Sequence, residues 1–182
     1  MSRIGAAPIN IPVGISVECS DNGNVLIKND KVEKRIRLCS GIICNIVNNQ
    51  LLLSVDQNKV NLSKVKSIWG AYRSNIKNII NGMINNFSVD LEVSGIGYKA
   101  ECNDKYLTLY LGYSHNVKYK IPRDIEIKCI KPTQLIVSSM DKQKAYMIAS
   151  DICRIRKYDP YKGKGITIKG RFILRKVVTK KK

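Results

Sequence analysis

The spacing of apolar residues switches between strand and helix periods in the same order in both halves of this chain. Apolar and polar side chains alternate over residues 15–55, and a helical spacing follows over residues 65–83. The alternation starts again at residue 89, and a second helical stretch begins near residue 141. Strand runs followed by one helix, repeated once, indicate an internal duplication. We therefore predict an α+β fold of two homologous modules, each a small antiparallel sheet packed on one helix.

The module boundary is expected near Phe87, where the alternation restarts. Residues 1–86 are then an N-terminal α+β module, and residues 87–182 are a C-terminal α+β module with a basic extension. The first 14 residues are predicted to form an extended arm, because Pro8 and Pro12 disfavour helix. Arg3 is expected to be exposed beside Gly5.

Local signals place the helices and turns within each module. The first helix is expected over about residues 63–84, with Trp69 and Tyr72 on its core face and Arg73 off that face, reaching outward. The second is expected to start at the cap Asp141 and to end before Pro160. Its predicted inner face consists of Ala145, Ile148, Ala149 and Ile152. In the first module, turns are predicted at Asp21-Asn22-Gly23-Asn24 and at Asn48-Asn49.

Positive charge is concentrated at the C-terminal end. The chain of 182 residues has a formal net charge of +18. Residues 154–182 contain twelve basic residues and one acid, Asp159, so this 29-residue segment carries +11 and the other 153 residues carry the remaining +7. Such a cluster predicts a polyanion partner, with nucleic acid favoured over a membrane surface.

The basic segment also contains apolar residues and glycines. Tyr161 to Gly165 places two lysines between glycines directly after Pro160, which suits close approach to a phosphate-rich surface. We expect an ordered surface with Arg and Lys aimed at phosphates, anchored by Ile166, Ile168 and Phe172. Lys180 to Lys182 are more simply explained as a solvated tail.

Two other motifs match a nucleotide-binding or catalytic pattern only in part. Gly95-Ile96-Gly97-Tyr98-Lys99-Ala100 matches a dinucleotide fingerprint, but a strand pattern follows it where that motif needs a helix, so a strand bend is favoured. His115 is the only histidine, and Ser114 beside it in a strand would point to the opposite face. A polar loop or an RNA contact is therefore favoured over a general base.

Other classes of site have little support in the sequence. The six cysteines include no Cys-x-x-Cys pair, so we expect reduced thiols and no zinc site. No apolar run is long enough to span a membrane, and the first residues lack the features of a leader. We expect no cofactor, no small-molecule substrate and no membrane association.

Several segments together resemble one family. The segments MSRIG, WGAYRSNIKNIINGM, LEVSGIGYKAE, LGYSHNV and PYKGKGI, with a late Arg-Lys pair, occur in the order found in the bacterial-type large-subunit ribosomal protein L-six family. The resemblance implies two homologous modules, no enzymatic activity, and a C-terminal module that binds large-subunit rRNA near the sarcin–ricin region, where translational GTPases act. Neighbouring large-subunit proteins are implied as further partners.

The resemblance and the charge pattern together nominate the RNA-binding residues. Matching family positions are Tyr161, Lys162, Gly163, Lys164, Gly165, Arg175, Lys176, Ser2, Arg3, Arg73, Ser114 and His115. The clustered charge adds Arg154, Arg156, Lys157, Lys169 and Arg171. Thr167 stands where the family often has Arg, and Ala6 stands where Lys usually follows the SRIG motif.

Composition bears on the compartment. Ile, Lys and Asn are frequent, which suggests an AT-rich genome, and the six cysteines and the departures from the family pattern are more typical of organelles. We therefore expect a mitochondrial large ribosomal subunit, encoded in the organelle and needing no transit peptide. A bacterial cytoplasm or a plastid is the alternative. A free RNA-binding module and a nuclease using His115 are the alternative functions.

Overall fold

The computed structural model describes residues 3–20, 23–29, 32–56 and 62–177, and only the backbone of residues 62–64. Ser2, the predicted turn residues Asp21 and Asn22, and Lys180 to Lys182 lie outside the described residues. The chain divides into two compact units, Met1–Asn85 and Asn86–Lys182.

The first unit contains two three-stranded antiparallel sheets and one long helix. Its elements are α1 (Arg3–Ala6), β1 (Ile9–Asn10), β2 (Ile15–Ser20), β3 (Asn24–Asn29), β4 (Val32–Arg37), β5 (Ile42–Val47), β6 (Gln50–Val55) and α2 (Leu62–Ile84). The sheet orders are β1-β6-β5 and β2-β3-β4. The predicted turn at Asn48-Asn49 is confirmed: both residues have positive φ, of 49° and 61°, as a tight hairpin between β5 and β6 requires.

The second unit contains a three-stranded and a four-stranded antiparallel sheet with one helix. Its elements are β7 (Phe87–Ser94), β8 (Lys99–Cys102), β9 (Tyr106–Tyr110), β10 (Val117–Lys120), β11 (Glu126–Lys131), β12 (Gln134–Ser139), α3 (Lys142–Ile155) and β13 (Gly165–Ile168). The sheet orders are β10-β9-β8 and β11-β12-β7-β13. The α+β class is confirmed, with two small sheets in each unit where one was expected.

A tight bend explains why the second unit has two sheets. β7 ends at Ser94, and the chain reverses through Gly95 and Gly97, whose φ values are 151° and 75°. A Cβ on Gly95 would lie 2.6 Å from the Tyr98 ring, so only glycine fits there. β8 follows this bend, so the G-x-G-x-x-A segment opens a strand and lacks the helix of a dinucleotide site.

The helices pack as their spacing predicts. Ala145, Ile148, Ala149 and Ile152 form the buried face of α3 in the core of the second unit. Trp69 of α2 is buried, and its indole Nε1 donates to the Leu53 carbonyl at 3.0 Å. Tyr72 is only half-buried, so its predicted core position is only partly met.

The prediction of an extended N-terminal arm was wrong at its start, because Arg3–Ala6 form a short helix. A Cβ on the buried Gly5 would lie 2.5 Å from the Trp69 ring, so this turn packs directly on the indole. The prolines lie beyond the turn and do not oppose it. Arg3 is exposed, as expected.

The expectation of six reduced cysteines was also wrong. Cys19 of β2 and Cys44 of β5 form a disulfide that links the two sheets of the first unit. The two residues are 25 positions apart, so their spacing in sequence gave no signal for the pair. Cys39, Cys102, Cys129 and Cys153 are free thiols.

No helix within the described ranges is both long enough and apolar enough to cross a bilayer.

Candidate nucleic-acid interface

The candidate interface begins where α3 ends. Asp141 caps the helix, since its carboxylate accepts the backbone N–H of Gln143 at 3.0 Å, as predicted. The helix ends at Ile155, and Arg156 adopts an extended backbone with φ −138° and ψ 95°. Packing of the buried face of α3 therefore fixes the position at which the basic segment begins.

A short loop follows, which we call the basic loop (residues 157–164). The Asp159 N–H donates to the Lys164 carbonyl and the Gly163 N–H donates to the Asp159 carbonyl, both at 2.8 Å. The Asp159 carboxylate accepts the Tyr161 N–H at 2.9 Å. The one acid of the segment thus holds the loop backbone in shape, and no salt bridge joins it to a lysine in the described part of the chain.

Gly163 in the basic loop and Gly165, which follows the loop at the start of β13, are required for different reasons. Gly163 has φ 68°, which favours glycine. Gly165 has φ 141° and is buried, and a Cβ there would lie 2.5 Å from the Tyr158 Cα and 2.7 Å from the Lys157 carbonyl oxygen. Gly163 therefore serves the turn, whereas Gly165 allows two backbone segments to touch.

Strand β13 ties the basic loop to the sheet. It pairs antiparallel with β7, with Ile166 opposite Val93. Ile166 is buried in the core, and its N–H donates to the Arg156 carbonyl at 3.0 Å. The loop therefore stands on the edge of a four-stranded sheet and is held at both ends.

The residues after β13 return to the basic loop, and we call residues 169–177 the return segment. The chain turns at Gly170, with φ 80°, where the Arg171 N–H donates to the Ile168 carbonyl at 3.1 Å. The Lys176 N–H donates to the Pro160 carbonyl at 3.1 Å, and the Lys176 Nζ lies 5.7 Å from the Tyr161 ring centroid. The two segments thus form one surface.

The cations of this surface have few acidic partners. Over residues 154–177, the described structure contains one salt bridge, between Arg154 and Asp151 at 3.3 Å. The side chains without a salt bridge are Arg156, Lys157, Lys162, Lys164, Lys169, Arg171, Arg175 and Lys176, and all are exposed except the half-buried Arg156 and Lys164. Such an array is suited to a polyanion.

A second loop meets this surface at the end of α3. The Tyr113 hydroxyl donates to the Ile155 carbonyl at 2.8 Å, and the Arg156 guanidinium lies 4.8 Å from the Tyr113 ring centroid. The neighbouring Tyr113 hydroxyl raises the pKa of the Arg156 guanidinium above its usual value. The sequence indicated Ser114 and His115 as RNA-binding residues but did not indicate Tyr113. The signal that could have identified Tyr113 is its position in the same LGYSHNV segment.

Ser114 and His115 lie in a bend, and the expectation of a strand was wrong. The Ser114 Oγ is 3.5 Å from His115 Nδ1, so the side chains do not point to opposite faces. Both residues are exposed, and in the described part of the chain no carboxylate hydrogen-bonds His115. No group of three His, Cys, Asp or Glu side chains in the described residues could hold a metal ion. The geometry therefore favours a polar contact surface over a general base.

Arg3 and Arg73 belong to the first unit. The Arg73 guanidinium donates from Nε to the Ala7 carbonyl at 3.2 Å and from Nη2 to the Pro8 carbonyl at 3.3 Å. Arg73 therefore holds the N-terminal segment, where the sequence predicted an outward-reaching side chain.

Phe172 was wrongly predicted to anchor the basic segment. Its side chain is 87% exposed, whereas Ile166 is 2% exposed. Ile168 is half-buried against the core of the second unit. The anchor is the strand β13, whose pairing with β7 the sequence did not indicate.

Comparison with known proteins gives full-length similarity. Residues 94–169 match the family model of ribosomal protein L6. The chain is 38% identical over 181 residues to large ribosomal subunit protein uL6 of Xanthobacter autotrophicus and 36% identical over 181 residues to that of Parvibaculum lavamentivorans. Against the same protein of Zymomonas mobilis, identity is 38% over 182 residues. Each match covers 100% of both chains.

Proposed function

The chain belongs to the ribosomal protein L6 family, and on this premise we propose that it is a structural constituent of the large ribosomal subunit that binds large-subunit rRNA through its second unit. One observation carries the proposal within this chain. The basic loop and the return segment hold a set of cations without acidic partners on a backbone fixed by hydrogen bonds. A rigid cationic surface is what phosphate contacts need.

The mechanism we propose is phosphate neutralisation with a shape fit. Lys162 and Lys164 take the place of counterions on neighbouring phosphates, and the released counterions drive binding. Gly163 supplies the positive φ of the turn that lies between these two lysines. Because the main contacts are to phosphate and sugar, we expect recognition of RNA shape rather than base sequence.

The position on the subunit is part of the proposal. The resemblance of PYKGKGI and LGYSHNV to the family supports binding near the sarcin–ricin region, with translational GTPases nearby and other large-subunit proteins as neighbours. A photo-crosslinker placed at residue 164 tests this position, since sequencing of the linked rRNA segment identifies the contact. A crosslink confined to a distant rRNA domain would contradict it.

For the compartment, we propose a mitochondrial ribosome. The frequent Ile, Lys and Asn and the six cysteines support an organellar origin. The relatives compared are bacterial proteins, so a bacterial ribosome is the alternative. Recovery of the protein in ribosomes from purified mitochondria tests this choice, and recovery only in bacterial or plastid ribosomes would contradict it.

Sedimentation tests the function itself. A tagged full-length chain is expressed in cells, and ribosomal subunits are separated on a sucrose gradient at physiological salt. We expect the chain to cosediment with the large subunit at about one copy per particle. A chain that remains at the top of the gradient, or one that follows the small subunit, would overturn the proposal.

A further inference from the structure

The return segment exposes a group of large apolar side chains among its cations. Phe172, Leu174 and Val177 are 87%, 63% and 85% exposed. Apolar groups of this size favour contact with something other than water, and Phe172 is the one aromatic ring in this segment. The exposed ring therefore marks a contact that the isolated chain does not make.

Phe172 is presented on an ordered part of the chain. The hydrogen bond from Arg171 to the Ile168 carbonyl lies directly before it, and the bond from Lys176 to the Pro160 carbonyl closes the segment four residues later. Phe172 therefore sits between two fixed points, which reduces the entropy lost when its ring is immobilised by a partner.

The charges beside Phe172 indicate the chemistry of that partner. Lys169, Arg171, Arg175 and Lys176 are exposed and without salt bridges in the described part of the chain. An apolar protein surface placed on Phe172 would leave these cations desolvated and unpaired, which is costly. Nucleic acid provides phosphates for the cations and flat bases for the ring.

We propose that Phe172 stacks on an unpaired nucleobase of the large-subunit rRNA. The inference rests on the proposed function and adds the type of RNA element that is bound. Base faces inside a duplex are covered by neighbouring pairs, so an aromatic side chain can stack only on a base in a loop, a bulge or an end. The surface then combines phosphate contacts from the basic loop with one stacking contact from the return segment.

Substitutions at position 172 separate stacking from simple apolar contact. Binding to full-length large-subunit rRNA is measured over a series of salt concentrations. Phe172→Ala should weaken binding by roughly 5- to 150-fold without changing the salt slope, because no charge is removed. Phe172→Leu should stay weak because it lacks a ring, and Phe172→Trp should bind like the wild type.

The tryptophan variant also gives a direct signal. The natural Trp69 is buried in the first unit and serves as a constant background. Stacking on a base should quench the fluorescence of the new Trp when rRNA is added. Since Phe172 is exposed, all three variants should keep the wild-type denaturation midpoint.

Each result bears on one of the two proposals. Wild-type affinity for Phe172→Ala, or full recovery by Phe172→Leu, would overturn stacking and leave the rRNA-binding proposal intact. Normal rRNA binding by Phe172→Ala, combined with its loss from assembled subunits, would show that the ring contacts a protein, which also overturns stacking. Failure of the wild-type chain to bind rRNA at all would overturn the function instead.

Discussion

The hydroxyl of Tyr113 donates a 2.8 Å hydrogen bond to the carbonyl of Ile155, the last residue of α3. The last carbonyls of a helix have no partner within the helix, so this bond satisfies one of them. The Arg156 guanidinium packs beside the same ring. Tyr113 thus joins the Ser114–His115 bend to the start of the basic loop.

Removing this hydroxyl should loosen the start of the basic loop. Tyr113→Phe keeps the ring beside Arg156 and loses the hydrogen bond, which should cost about 0.5–1.5 kcal/mol of the free energy of unfolding. Hydrogen exchange in the second unit measures that loss. Ser114→Ala serves as a control in the same bend, since within the described residues the Ser114 hydroxyl makes only the 3.5 Å contact with His115. Equal protection in Tyr113→Phe and the wild type would contradict the assignment.

Gly165 should tolerate no side chain. Gly165→Ala places a Cβ 2.5 Å from the Tyr158 Cα and requires an unfavourable φ, so we expect a loss of about 3 kcal/mol or more. Gly170→Ala is the matched control, because Gly170 also has positive φ but nothing lies within 4 Å of its Cβ position. That variant should lose only about 1 kcal/mol. Hydrogen exchange of the β7 amides compares them, and equal losses would contradict the close packing.

Arg73 should contribute to the stability of the first unit and little to RNA binding. Arg73→Ala removes the hydrogen bonds to the Ala7 and Pro8 carbonyls, and we expect about 1–2 kcal/mol less protection of the β1 amides. The salt slope of rRNA binding should not change. Arg73→Lys keeps the charge and should still lose protection, because an ammonium cannot reproduce the two-pronged contact. Unchanged protection together with a shallower salt slope would instead make Arg73 an RNA contact.

The Cys129 thiol should react slowly with alkylating reagents. Burial, with a smaller effect of the neighbouring Cys102, raises the pKa of Cys129 to about 11. About a thousandth of the thiol is then ionised at pH 8, against about a quarter for a free cysteine of pKa ~8.5. Alkylation by iodoacetamide, followed by peptide mass spectrometry, should be more than about a hundredfold slower than for free cysteine and should accelerate about tenfold per pH unit up to pH 10.

The same shift predicts the direction of the pH dependence of stability. The folded state holds the proton more tightly, so this contribution to stability is complete below about pH 8.5 and is lost as the pH rises through 11. Alkylation of native Cys129 as fast as free cysteine at pH 8 would contradict the burial.

Local patterns predicted the elements that local forces determine. The four inner residues of α3, its Asp141 cap and the Asn48-Asn49 turn all follow from spacing and turn chemistry within a few residues. The bend at Gly95 could also be predicted from the sequence, because a strand pattern follows it where a dinucleotide site would need a helix. These features depend on neighbours in sequence, so the sequence was enough.

Contacts between segments that are distant in sequence could not be predicted from such local patterns. The Cys19–Cys44 disulfide depends on how two sheets meet, and the pairing of β13 with β7 joins segments about 70 residues apart. Phe172 illustrates the same limit. Alternation of apolar and polar residues predicts a half-buried side chain only where another segment covers that side chain. The return segment leaves the Phe172 ring exposed to solvent. The RNA-contact residues themselves remain predictions.

The salt dependence of rRNA binding by Lys162→Ala/Lys164→Ala tests the role of the basic loop most directly. Each lost phosphate contact should make the slope of log affinity against log salt shallower by about 0.7–0.9, so the double variant should differ from the wild type by about 1.4–1.8. Lys118→Ala/Lys120→Ala on β10 removes the same charge from two exposed lysines of the same unit and should leave the slope unchanged. An unchanged slope in the loop variant, or an equal decrease in both variants, would contradict phosphate binding by the basic loop.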